Sequence, residues 1–178
     1  MTTAHVFIAT SLDGYIARPD GGIDWLLQRD NQAEDHGYLD FMADKGAIVM
    51  GRGTYETVAH LKPWPYDVPA YVLSKALAET PVPEGQQDKV TFLDLTPAAF
   101  LARLDRENIQ KVYVDGGQLV QSFLREGLVH DMVITTVPVL IGAGRPLFGS
   151  VPKDIDLELM SSRSFPSGMV QCKFRVLP

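Results

Sequence analysis

Two glycine-rich segments follow strand-like runs, and their residue types suit the binding of phosphate groups. They are Gly51–Thr54, which contains an arginine and a threonine, and Asp115–Gln118. Glycine lets backbone N–H groups at the start of a helix approach an anion closely, and Arg52 adds a forked cation. Ser74 and Lys75 follow a third strand-like run. Each glycine segment alone is better explained by a tight turn, but two in one sheet would suit the pyrophosphate of a dinucleotide.

The usual fingerprint of dinucleotide-binding proteins is absent from the sequence. No G-x-G-x-x-G follows the first strand-like run, and Gly142–Leu147 matches only the first half of that motif. Pro146 would disfavour a helix start that cradles phosphate. The sequence therefore argues against a Rossmann fold.

Other catalytic patterns are missing as well. The four histidines are scattered, with no close-spaced pair to suit a metal. No G-x-S-x-G motif marks a nucleophilic serine. The single cysteine, Cys172, excludes an internal disulfide and a Cys-rich metal site. We expect no metal.

Composition indicates one globular domain, residues 1–178, with 46% apolar and 21% charged residues. The chain has 22 acidic and 16 basic residues, and its net charge of −6 argues against a nucleic-acid partner. The N-terminus has no basic signal-peptide region. The longest apolar run, Val137–Gly144, is far shorter than the ~18 residues of a membrane span. We expect a soluble, cytoplasmic protein that acts on a small molecule, without a membrane partner.

The glycine-rich segments are positioned by a predicted alternation of strands and helices. Short apolar runs predict central strands and periodic apolar positions predict helices. The predicted strands are His5–Ala9, Ala47–Met50, Ala70–Leu73, Val90–Leu93, Val112–Val114 and a run from Met132 towards Pro138; the predicted helices span 32–44 and 53–61, begin at Pro97, and span 118–125.

Further signals refine this outline. In the 32–44 helix, Leu39, Met42 and Ala43 share the predicted buried face. Segments 155–159 and 170–176 alternate apolar and polar residues with a period of two, which predicts half-exposed strands. The predicted fold is one α/β domain with a mostly parallel sheet and an antiparallel C-terminal edge.

Four motifs occur in an order that resembles the dihydrofolate reductase superfamily: Ser11–Ile16, Val49–Glu56, Tyr71–Ser74 and Val114–Gly117. A further segment, Pro138–Phe148, looks like the branch that contains the reductase domain of the bifunctional riboflavin-biosynthesis enzyme and its small stand-alone bacterial relatives. The resemblance covers nearly the whole chain. It implies a central sheet of about eight strands with helices on both faces, and NADPH lying across the strand ends.

By position, the resemblance implies a set of cofactor-binding residues. Backbone groups of Ala9 and Ile16 would meet the nicotinamide amide, and a non-proline cis peptide is expected at the glycine turn after Asp115. Where folate reductases often have three glycines and an arginine, this chain has Asp115–Gln118, which resembles the riboflavin-type branch. The full implied set is Ala9, Ile16, Gly51, Arg52, Thr54, Leu73, Ser74, Lys75, Gly116, Gly117, Gln118 and Leu119.

The resemblance also implies acceptor-binding residues. Spacing puts Asp35 where folate reductases hold a catalytic carboxylate, although a solvated acidic face explains Glu34 and Asp35 equally well. The implied substrate-binding residues are Trp25, Tyr38, Tyr55, Trp64, Tyr66 and Thr135. For each aromatic, packing of its own loop is an equal alternative, and a structural hydroxyl is the stronger reading of Thr135.

The expected function is NADPH-dependent hydride transfer to a small heterocycle of the pterin, folate or pyrimidine-ribotide type. No arginine is well placed for a folate tail, and the chain has no deaminase zinc motif. The alternative is an NADP(H)-binding module without turnover that acts as a sensor or an assembly partner. Apolar residues to spare on the C-terminal strands predict a homodimer.

Overall fold

The computed structural model describes residues 1–31 and 33–178. Its strands are β1 (Thr3–Ser11), β2 (Tyr15–Ala17), β3 (Ala47–Gly51), β4 (Ala70–Leu73), β5 (Val90–Leu93), β6 (Lys111–Asp115), β7 (Val129–Val137), β8 (Arg145–Pro146), β9 (Leu157–Ser164) and β10 (Val170–Val176). Its helices are α1 (Asp24–Leu27), α2 (Tyr38–Met42), α3 (Arg52–Val58), α4 (Pro97–Arg106) and α5 (Gly117–Arg125).

Eight strands form one sheet in the order β5-β4-β3-β6-β1-β7-β10-β9. The pairs from β5 to β7 are parallel, whereas β10 runs antiparallel to both β7 and β9. The prediction of a mostly parallel sheet with an antiparallel C-terminal edge, in a dihydrofolate-reductase-like fold, is therefore confirmed.

The central strands are apolar on both faces because helices cover both sides of the sheet. In β3, Ala47 and Val49 face α4 and α5, whose core includes Phe100 and Phe123. Alternate residues such as Ile48 face the other side, where α2 and α3 pack. The parallel strand direction then brings the carboxyl ends of β1, β3, β4 and β6 to one edge.

Helix α4 begins at Pro97, where the sequence predicts a helix start. Thr96 is the N-cap and its hydroxyl oxygen accepts a hydrogen bond from the Ala99 N–H at 3.3 Å. Pro97 takes the first helical position, where its missing N–H costs nothing.

The predicted 32–44 helix is wrong in its length and in its buried face. Its first residue, Gln32, lies outside the described residues, and α2 begins only at Tyr38. Gly37, the N-cap, has φ +78, a left-handed conformation that separates the segment before it from the helix. Asp35 therefore precedes the helix, and Leu39 is 81% exposed rather than buried.

A two-stranded ribbon was not predicted from the sequence. β2 pairs with β8, and just before β2 the Asp13 carboxylate accepts hydrogen bonds from the N–H groups of Ile141 (3.2 Å) and Gly142 (2.8 Å). Hydrogen bonding, first to Ser11 and then to these amides, lowers the pKa of Asp13. Strands of three and two residues leave no periodicity to detect, so only the folded chain reveals the ribbon.

No helix within the described residues is long and apolar enough to cross a membrane.

Candidate functional site

The two glycine junctions predicted from the sequence touch one another at the strand ends. Thr54 at the start of α3 packs against the turn between β6 and α5 so closely that a Cβ on Gly116 would overlap the Thr54 hydroxyl oxygen. A Cβ on Gly117 would lie 2.7 Å from the carbonyl oxygen of Pro146 and 3.0 Å from the Ile16 side chain. Only glycine fits at these two positions, which draw α3, the ribbon and α5 together.

Two arginines flank this junction. Arg52 forms an exposed pair with Glu56 at 3.3 Å, which contributes little in water. Arg145 of β8 reaches over the start of α3, so that a Cβ on Gly53 would lie 3.5 Å from its guanidinium. In the described part of the chain, Arg145 has no carboxylate within 4 Å. Sequence reasoning missed Arg145 because the ribbon that carries it was not predicted.

Asp115 ends β6 directly before the glycine turn. The Gly116 N–H donates a hydrogen bond to its carboxylate at 2.8 Å. Burial raises the pKa of Asp115 to about 6, although the hydrogen bond from Gly116 and the Tyr113 hydroxyl beside it lower that pKa in part. The raised pKa sets this carboxyl group apart from a solvated aspartate, and such shifts are common at functional sites.

Tyrosines surround the Asp115 carboxyl. Burial, and then the negative charge of Asp115, raise the pKa values of Tyr38, Tyr66 and Tyr113. The Tyr113 hydroxyl donates to the Phe7 carbonyl at 2.9 Å, and its ring lies 6.4 Å from that of Tyr38. Burial of the Asp115 carboxyl disfavours its charged form, which is the physical cause of its raised pKa.

The aromatic residues predicted to bind the substrate divide into two groups. Tyr38 and Tyr66 lie at Asp115, and Trp64 contacts Tyr66 with ring centroids 5.6 Å apart. The buried indole nitrogen of Trp64 has no hydrogen-bond partner within residues 1–31 and 33–178. An unpaired buried donor next to a tyrosine pair suits a ligand with an acceptor atom.

Other predicted substrate residues have structural partners. The Tyr55 hydroxyl donates to Gln86 at 2.7 Å while its ring packs on Phe92. Trp25, at 1% exposure, packs in a core cluster with Val137 and Met169, and its indole nitrogen also has no hydrogen-bond partner among the described residues. The Thr135 hydroxyl accepts a hydrogen bond from Gln171 at 2.9 Å.

Asp35 lies in an exposed turn. Its carboxylate accepts a hydrogen bond from the Gly37 N–H at 2.7 Å, and the Arg163 guanidinium donates to its backbone carbonyl. No contact of the described residues joins it to Asp115. Its catalytic role stays a prediction from spacing.

The predicted cofactor residues lie along the strand ends. A Cβ on Gly51 would meet no atom within 4 Å, so the backbone there is open. Leu73 and Leu119 pack their side chains into the core, which leaves only their backbone groups for a ligand. The others lie at the strand ends or in the loops that follow them: half-buried Ala9, Ile16 and Ser74, exposed Lys75 and Gln118, and the junction residues Arg52, Thr54, Gly116 and Gly117.

The expected cis peptide at the glycine turn is not found. In the described chain the cis bond is Lys62–Pro63, and the turn after Asp115 is made instead by Gly116 with φ +91.

Compared with known protein families and relatives, the sequence matches one family over nearly its whole length. The family model described as RibD C-terminal domain matches residues 3–171. The Bacillus subtilis protein YwjB, which is uncharacterized, is 38% identical over 164 residues that cover 90% of each chain.

Solved structures agree with this result. A protein from Shewanella sp. PV-4 with a provisional assignment to riboflavin biosynthesis is 36% identical, with a TM-score of 0.92 over 99% of this chain and 100% of that one. A deaminase/reductase from Thermotoga maritima, 16% identical, shares the fold with a TM-score of 0.75; the match covers 99% of this chain and 57% of that one.

Proposed function

We propose, from the premise that the chain belongs to the RibD C-terminal domain family, that it is an NADPH-dependent reductase of a small heterocyclic acceptor. The family and the solved structures establish a reductase-type fold. One observation supports a catalytic role. The Asp115 carboxyl lies between the glycine junction and the tyrosine cluster, and its burial raises its pKa to about 6.

The residues at the strand ends fit a dinucleotide. Arg52 and Arg145 supply positive charge beside the Thr54 hydroxyl, and the glycine junction lets the backbone approach closely where a Cβ would overlap its neighbours. Ala9 and Ile16 would offer backbone groups to the nicotinamide end. Ser74 and Lys75 would favour the cofactor with a 2′-phosphate. When bound, NADPH supplies the hydride.

Asp115 would supply the proton that accompanies hydride addition to a C=N or C=C bond of the acceptor. Because burial raises its pKa to about 6, the carboxyl group keeps a proton at higher pH than a solvated aspartate does. Tyr113 acts as a positioning residue, because its hydroxyl is fixed by the Phe7 carbonyl and lies beside the carboxyl. Tyr38 and Tyr66 exclude water from the group.

The acceptor class follows from the groups that face it. Flat aromatic walls suit a planar ring, the free Trp64 N–H suits a carbonyl or ring nitrogen, and Asp115 suits a ring N–H or a developing amine. A pterin, a folate or a pyrimidine ribotide has these groups.

An alternative is an NADP(H)-binding module without turnover. The observation in its favour is that Tyr38, Tyr66 and Tyr113 are all partly or fully buried and near enough to Asp115 for its charge to raise their pKa values, from which we infer that they would crowd an acceptor there. In this case the protein would sense the cofactor or assemble with a partner.

A homodimer is part of the proposal. All eight residues of β9, an edge strand of the large sheet, are exposed. Leu157 and Leu159 pair with Val176 and Phe174 of β10, so the four share one face, and Leu159 is 56% exposed. A second copy of the chain on this face would remove apolar surface from water.

Titration calorimetry with NADPH and NADH tests the cofactor first. We expect micromolar binding of NADPH and about tenfold weaker binding of NADH, a difference of about 1.4 kcal/mol. NADPH oxidation with dihydrofolate, a dihydropterin or a pyrimidine ribotide then tests turnover. Binding without turnover on any of these would favour the alternative, and absence of binding would overturn both.

A further inference from the structure

A groove on the α2 face of the sheet lies apart from the strand-end site. It has a volume of about 510 Å³ and is bounded by α2 and the segment before it on one side and by strands β1, β7, β10 and β9 on the other. A smaller cleft of about 140 Å³ shares Asp40, Phe41 and Lys173 with it. The larger volume is in the range of small-molecule sites.

The floor of this groove is apolar. Phe7 of β1 pairs in register with Val133 of β7, which puts both side chains on the same face. Phe41 of α2 packs on Phe7 with ring centroids 5.1 Å apart. These three side chains offer a surface for a planar ring.

The strand-side wall is cationic. Lys173 of β10 pairs with Ser161 of β9, and Arg163 pairs with Gln171, so these side chains point into the groove with the serine hydroxyl. Among the described residues neither Lys173 nor Arg163 has a carboxylate within 4 Å, although Asp131 is near enough to Lys173 for the lysine's charge to lower the pKa of that aspartate. Asp40 stands on the opposite wall, on α2, so an anionic ligand group would face the strands.

Arg163 is held in place at the rim. Its guanidinium lies 4.4 Å from the centroid of the Phe165 ring and donates to the Asp35 carbonyl. Neither contact neutralises its charge. A cation fixed without a counter-ion beside an apolar floor suits a ligand that combines a ring with a negative charge.

Side chains separate the groove from Asp115. The ring of Phe7 contacts both Tyr38, at 5.6 Å, and Phe41. Gln171 closes the other route, because its amide donates to the Thr135 hydroxyl at 2.9 Å and to the His36 carbonyl at 3.0 Å. A molecule in the groove therefore does not reach the groups assigned to hydride transfer.

We propose that this groove is a second binding site, for a small planar ring that carries one anionic group such as a phosphate or a carboxylate. The ring lies on Phe7, Phe41 and Val133, and the anion lies between Lys173 and Arg163. The proposal does not depend on reductase activity.

Binding of 1-naphthyl phosphate, with 1-naphthol as the uncharged match, tests the site by fluorescence titration. We expect the phosphate to bind more tightly than the naphthol, and Lys173→Gln or Arg163→Gln to weaken it about fivefold or more. Lys89→Gln, an exposed substitution just before β5 at the opposite edge of the sheet, is the control and should bind like the parent. NADPH affinity should be unchanged in all three variants.

Amide chemical shifts locate the bound probe. Shifts at Val133, Ser161 and Ser162 would support the proposal. Shifts centred on Asp115 and Gly116, equal affinity of the Lys173→Gln and Arg163→Gln variants and the parent, or no binding at millimolar probe would overturn it. If sedimentation shows a dimer and the probe binds only after dilution to monomer, the groove is covered by a second copy and the proposal is wrong.

Discussion

Thr54 and Gly116 are in contact although one begins α3 and the other follows β6, and the contact leaves no room for a side chain on the glycine. The two junctions that carry the proposed phosphate-binding residues thus support each other. We therefore expect a substitution at either junction to alter the geometry of both.

Substitution Gly116→Ala tests this contact. Gly116 has φ +91 and its new Cβ would overlap Thr54, so both backbone strain and crowding lower the free energy of unfolding. Gly127→Ala is the matched control, since Gly127 also has a positive φ (+66) but no atom within 4 Å of the new Cβ. We expect Gly127→Ala to cost about 1 kcal/mol and Gly116→Ala at least about twice that in urea denaturation. Equal losses would mean that Thr54 moves away freely.

Asp115→Asn separates catalysis from folding. The amide keeps the shape of the carboxyl but is not an acid, so we expect kcat to fall about 10²- to 10⁴-fold while NADPH binds as before. Steady-state kinetics and calorimetry measure the two effects. Turnover within a few-fold of the parent would remove Asp115 from the mechanism.

The same variant has a pH-dependent effect on stability. The pKa of Asp115 is about 6 in the folded protein and 3.8 in the reference state, so the folded chain binds more protons between these values. The parent therefore loses stability as pH rises from about 4 to about 6, up to roughly 2–3 kcal/mol. Asp115→Asn should melt several degrees above the parent at pH 8, with the difference shrinking towards pH 4. A constant difference across this range would contradict the raised pKa.

Tyr113→Phe tests the positioning role of its hydroxyl. The hydroxyl lowers the pKa of Asp115, so its loss should raise that pKa and move the alkaline limb of the kcat profile to higher pH. The Phe7 carbonyl also loses its donor, at a cost of about 1 kcal/mol. A purely structural role would lower stability and leave the pH profile in place.

Leu159→Glu tests the homodimer. We expect the parent to sediment at twice the 19.6 kDa of one chain and the variant at the mass of the monomer, because a carboxylate on this face of β9 opposes burial. Ser161→Glu is the control. The register with β10 shifts between Lys173, which pairs with Ser161, and Phe174, which pairs with Leu159, so Ser161 and Leu159 point to opposite faces of the strand. A parent that sediments as a monomer at micromolar concentration would exclude this dimer.

The sheet follows from local sequence more closely than the candidate site does. Four consecutive apolar residues at Ala47–Met50 suit a strand covered on both faces, and Thr96–Pro97 is a helix start by local chemistry alone. The 32–44 helix fails because a left-handed Gly37 interrupts an acceptable apolar pattern. The sequence marks Asp115 only as the residue before a glycine turn, because its raised pKa comes from burial, which depends on the folded chain.

The position of β1 in the sheet has a consequence for how the chain folds. Within residues 1–31 and 33–178, the sheet partners of Thr3–Ser11 are β6 and β7, which begin at Lys111 and Val129. During synthesis β1 is made well before β6 and β7, so it cannot pair with them until at least residue 111 has followed. Closing loops of this length is slow, so we expect folding to be limited by the docking of β1 and the nascent chain to be most prone to aggregate before β7 is made.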